Sequence, residues 1–168
     1  MSLVLAAVGA AVAALIQSTV LPFAAEGGGG LDLVLVIAVV WTMALGLEGG
    51  LVWAFLGGLV IDVLLMRPLG LTAFIDLLAV GAAWVVARLF VRARYPVIVI
   101  TAAVLAGVAA PLTVVLYEAL RDIPAGVDPM AGVGSSVVAA AIVAAIIAPP
   151  ALAIARRSAS QEAERVDW

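Results

Sequence analysis

The side chains in this sequence best equipped for chemistry are carboxylates, and Asp62 stands apart from the rest. It lies in residues 50–70, which read GLVWAFLGGLVIDVLLMRPLG. Gly50, Ala54, Gly58 and Asp62 recur every four residues, a spacing that keeps them along one slowly rotating helix face. The first three are small enough for another helix to approach closely, so Asp62 is expected to face protein rather than lipid. An acid at the centre of a membrane helix costs roughly 2.5–3.5 kcal/mol on insertion scales, so it needs a partner, a proton or a function. A second acid, Asp76, follows Gly70 by six residues. Together Asp62 and Asp76 could titrate as a coupled dyad, chemistry suited to proton coupling, but nothing else in the sequence resembles a full relay. For Asp62 a functional role is the default expectation, with a structural salt bridge to Arg67 or Arg121 as the alternative, and for Asp76 a cap or a snorkelling side chain.

Other chemistries lack their parts. The 168 residues include no cysteine, histidine or lysine. That removes disulfides and thiolate metal sites, along with Ser-His-Asp catalysis and Schiff bases. No metal or other cofactor is expected. The net charge is −3 and no basic stripe is present to displace counterions from a phosphate backbone, so nucleic acid is not an expected partner.

The elements that must position these acids are membrane helices. The chain is 67% hydrophobic, and it supplies several runs near the roughly 20 apolar residues that a span needs. The runs are continuous rather than alternating with period two, which excludes a barrel. Six helices are expected, over residues 2–21, 32–45, 48–66, 71–90, 96–117 and 130–154. They form one transmembrane domain, residues 1–155, followed by a polar tail, 156–168, to which no structure is assigned. No positive residue precedes the first run, which argues for a retained span rather than a signal peptide. Ala6, Ala10 and Ala14 give that span a small-residue stripe. Asp32 and Glu48 read as helix-starting acids that suit the dipole. Residues 24–30 end in four glycines and form a loop, and Arg67-Pro68-Leu69-Gly70 form a turn. Pro111 is expected to kink its helix and free a carbonyl, and Pro149-Pro150 to break or kink the last one.

Arginine placement sets the expected orientation. With the N-terminus inside, Arg88, Arg92, Arg94, Arg156, Arg157 and Arg165 lie on the cytoplasmic side, and Arg67 and Arg121 lie outside. Both termini are then cytoplasmic. Trp41, Trp53 and Trp84 fall toward the inner ends, as an interfacial belt would. In this threading Asp62 and Asp76 lie at similar depth, roughly 8–9 Å below the outer turn at 1.5 Å per residue. Gln17 lands nearby, and Glu118, Arg121, Ser135 and Ser136 come from the outer ends of the last two helices. The outer half collects the polar groups, while the inner half is nearly all aliphatic.

Several of these segments resemble the MreD family of rod shape-determining membrane proteins. The strongest is Gly58-Leu-Val-Ile-Asp62 followed by Pro68-Leu69-Gly70. Leu15-Ile16-Gln17 with Pro22 closing the first helix also fits, as does Asp32-Leu33-Val34-Leu35-Val36 leading to Trp41. Leu31 stands where the family commonly has proline. The resemblance covers about residues 15–90, while the last two helices match in number and hydropathy only. It implies a non-enzymatic scaffold of the bacterial inner membrane that partners an MreC-like protein and also its own copies. The implied setting is the wall-elongation machinery, with its actin-like MreB and its glycosyltransferase–transpeptidase pair. It also implies a fold related to the S components of ECF-type vitamin transporters, and such a substrate-binding component is the alternative function. The alanine stripe suits that alternative, because such components dock through an Ala-rich helix. The loops speak against it, since a vitamin site calls for aromatic and hydrogen-bonding side chains and residues 118–129 contain no aromatic.

Overall fold

Long apolar runs separated by glycine and proline leave the backbone one way to satisfy its polar groups inside a membrane, which is the helix. The computed structural model describes residues 3–24, 31–90, 94–121, 128, 130 and 132–166, and among them all regular structure is helical. The elements are α1 (Leu3–Ala24), α2 (Leu33–Leu45), α3 (Leu47–Leu64), α4 (Leu71–Leu89), α5 (Arg94–Arg121) and α6 (Val133–Val166). Four of them are long and apolar enough to cross a membrane: α3, α4, Tyr95–Leu120 of α5 and Val133–Arg157 of α6. The apolar runs Ala6–Thr19 of α1 and Leu33–Leu45 of α2 are shorter. The chain is a polytopic all-helical membrane protein.

The bundle is organised around α2. It touches all five other helices, and Val34, Leu35, Val36, Ala38, Val39 and Val40 are fully buried. A helix that is apolar on every side belongs in the middle. Its 13 residues measure about 20 Å, short of the roughly 30 Å hydrocarbon layer. One packing cluster joins α2 to α1, α3 and Val80 of α4, and the other joins it to α4, α5 and α6. Both are rich in alanine inside (Ala10, Ala14, Ala102, Ala140, Ala144). Large aliphatics such as Val12, Val104, Ile142 and Ile146 point outward. Small residues inside and large ones outside is the pattern of helices that pack closely within lipid.

Two features of the helix ends differ from the sequence reading. The tail from Arg156 is not unstructured, because α6 continues to Val166. Residues 158–166 hold no glycine or proline and are rich in Ala, Glu, Gln and Arg. Those residues extend an existing helix readily, without a new nucleation step. Pro149 and Pro150 do not interrupt α6 either. A proline leaves the carbonyl four residues back without its N–H, and for Pro149 that carbonyl belongs to Ala145. It accepts a hydrogen bond from the Tyr95 hydroxyl at 3.1 Å. Pro111 lies inside α5, where the sequence reading placed it. The glycine loop, Arg92, the Arg121 side chain and Asp122 lie outside the described residues.

Candidate functional site

The α3–α4 turn is built around Asp62. Helix α3 closes with the Arg67 amide bonded to the Asp62 carbonyl at 2.9 Å and the Met66 amide bonded to the Val63 carbonyl at 3.3 Å. This is the Schellman arrangement, here with Met66 rather than glycine in the left-handed region, at φ 50°. Pro68 follows, where a helix cannot resume. The Leu71 amide then bonds the Pro68 carbonyl at 3.2 Å. Gly70, at φ 92° and ψ −6°, occupies the position of a type II turn that requires positive φ.

Gly70 is also the N-cap of α4, and it has no side chain to cap with. Asp62 supplies the missing group from the preceding helix. Its Oδ2 accepts from the Gly70 amide at 2.8 Å, and its Oδ1 and Oδ2 accept from the Thr72 amide at 3.1 and 3.2 Å. These are orphan donors of a helix start, and a carboxylate there also meets the positive end of the dipole. The acid is fully buried. Its partners are these amides and not the guanidinium of Arg67. The sequence clue was available: α4 begins at a glycine with no Ser, Thr, Asp or Asn beside it, and an aspartate waits eight residues upstream.

A second capping unit forms where α1 meets α2. Asp32 caps α2 by accepting from the Leu35 amide at 3.0 Å. Gln17 of α1 accepts from the Val34 amide through Oε1, also at 3.0 Å, which places its side chain beside the Asp32 carboxylate. Sequence reasoning placed Asp32 as a cap but did not connect it to Gln17. Both ends of that connection are polar atoms at adjoining helix ends, and only the packing of α1 on α2 brings them together.

Asp76 is different. It is fully buried, and neither carboxylate oxygen has a hydrogen-bond partner among the described residues. The Thr72 hydroxyl, one turn away on the same face of α4, is also buried without a partner. Asp62 and Asp76 share no hydrogen bond, but Asp76 lies within electrostatic range of both Asp32 and Asp62. Of the other polar groups expected at this end, Ser135 is exposed and bonds the Gly132 carbonyl at 2.8 Å. Ser136 is buried, and Glu118 is half-buried.

The small residues of α3 serve two neighbours. A Cβ at Gly58 would fall 2.5 Å from the Cα and 2.6 Å from the nitrogen of Ala73, so this glycine lets the backbones of α3 and α4 touch. Gly50 abuts Thr42 of α2, and Ala54 is fully buried. On another side of α3, Trp53 lies over Gly9 of α1 and is itself buried. Trp53 pairs with Trp41 at 5.6 Å between ring centroids.

With this geometry in view, the comparison with known families is decisive. Residues 1–152 match the family model described as rod shape-determining protein MreD. The chain belongs to the MreD family. The match takes in all of α1 to α5 and most of α6, and with them Gln17, Asp32, Asp62, Pro68, Gly70 and Asp76. No curated protein and no solved structure matches. The MreD assignment points to a role in rod shape determination.

Proposed function

We propose that this protein is a non-enzymatic scaffold of the bacterial wall-elongation machinery. In this reading it sits in the inner membrane with both termini cytoplasmic and binds an MreC-like partner. Contact with the actin-like MreB and with the glycosyltransferase–transpeptidase pair is indirect. The observation that carries the reading is the Asp62 bolt: the most conspicuous acid of an MreD-family chain is spent on joining α3 to α4 rather than on a substrate. A rigid pair of helices presented in the membrane is what a docking platform requires, and the lipid-facing surface leaves room for a second copy.

Asp62→Ala is expected to lose rod shape and partner pull-down, whereas Asp122→Ala, a change in the connection between α5 and α6, retains both. Wild-type shape and pull-down for Asp62→Ala would count against the reading. For orientation, a cysteine at position 125 should react with an impermeant thiol reagent applied from outside, and one at position 93 should not.

One feature counts against the alternative, a vitamin-binding S component. Ala6, Ala10 and Ala14 are buried within the bundle, where α1 packs on α3, so the stripe is already occupied. Mass spectrometry of the purified protein decides between the two, because a retained vitamin would favour the transporter.

A further inference from the structure

Asp76 is a fully buried acid at this end of the bundle whose chemistry the capping scheme does not use. Asp62 and Asp32 each accept hydrogen bonds from helix-start amides. Asp76 lies six residues into α4, beyond the reach of any such amide, with zero exposure and, among the described residues, no donor on either oxygen. The charged groups acting on it among the described residues are Asp32, at the start of α2, and Asp62, on α3, both acids. Among the described residues no group of three acidic, histidine or cysteine side chains is placed to hold a metal ion. A carboxylate so placed would be an unpaired buried charge beside two like charges, the most expensive arrangement a protein interior can hold.

We infer that Asp76 is a proton-binding site inside the bundle, its carboxyl group carried as the neutral acid. The neutral group keeps one donor and its acceptors, and the orphan Thr72 hydroxyl lies one turn away toward the α3–α4 turn. Because the Thr72 amide is held by Asp62, the residues Asp62, Thr72 and Asp76 form a polar file from that turn into the apolar interior. The inference does not depend on the scaffold reading, since it concerns the state of one side chain and not the identity of a partner.

Infrared spectroscopy of the full chain in lipid vesicles tests it. At neutral pH the wild type should show a protonated-carboxyl C=O band that Asp76→Asn abolishes and Asp76→Glu shifts in frequency. Asp32→Asn and Asp62→Asn should leave that band in place. Absence of the band from the wild type overturns the inference, as does a band that survives Asp76→Asn. A thermal melt of the wild type in sodium chloride and in choline chloride tests the competing occupant. Equal midpoints agree with a proton. A midpoint raised by sodium in the wild type but not in Asp76→Asn overturns the inference, because a bound cation then balances the charge.

Discussion

The pair α3–α4 and the pair α5–α6 solve the same packing problem in different ways. The first pair is joined by a short turn and fastened by a buried carboxylate on two backbone amides, with backbone touching backbone at Gly58 and Ala73. The second pair packs alanine on alanine, with Ala102 and Ala106 on one side and Ala140, Ala144 and Ala148 on the other. One cross-helix polar contact of this pair is the Tyr95 hydroxyl on a carbonyl that proline has orphaned. In the first pair, position is set by directional bonds that tolerate little error. In the second it is set by the sum of many weak contacts between small side chains. The contrast places directional fastening at the α3–α4 end and close side-chain packing between α5 and α6.

The comparison can be broken most sharply at Asp62. Asp62→Ala orphans the buried amides of Gly70 and Thr72, at about 1–3 kcal/mol for each unsatisfied group. A loss of about 3 kcal/mol is therefore expected in reversible unfolding from mixed micelles. A loss below that expected for Tyr95→Phe would remove the distinction between the two pairs. Gly58→Ala pushes a methyl group into the Ala73 backbone, and overpacking of this kind costs about 1–3 kcal/mol. Its midpoint in the same unfolding assay should fall below that of Gly134→Ala, where an added Cβ meets nothing within 4 Å.

Tyr95→Phe tests the other pair. It removes a single hydrogen bond, worth about 0.5–1.5 kcal/mol, so its thermal midpoint should drop less than that of Gly58→Ala. The smallest effect has the opposite sign. Met66 holds a left-handed backbone at φ 50°, a conformation that costs a non-glycine residue roughly 1 kcal/mol. Met66→Gly relieves this at the expense of greater unfolded-chain entropy, so a gain of about 0.5 kcal/mol or less is expected in the same melts. A marked loss would show that the methionine side chain contributes at the turn.

Much of this architecture is legible in the residues themselves. The apolar runs announced helices, and the glycine and proline punctuation placed their joins within a few residues, as at Arg67–Gly70. The small-residue spacing of Gly50, Ala54 and Gly58 foretold close approach. What could not be read was which neighbour each residue meets. Gly58 reaches α4, Gly50 reaches α2, and Trp53, expected in an interfacial belt, is buried against Gly9 of α1. The partner of Asp62 was sought among cations because charge is visible in a sequence, whereas a free backbone amide is not.

The sequence by itself determined the class of protein, the helix count and the expectation that Asp62 faces protein rather than lipid. Those conclusions follow from hydrocarbon thickness and the cost of an acid within it, which act on each segment alone. Only the tertiary structure decided that Asp62 caps α4, that Gln17 braces Asp32, and that Asp76 is left without a donor. Hydrogen bonds are short and directional, so which acid is satisfied depends on where other helices end in space.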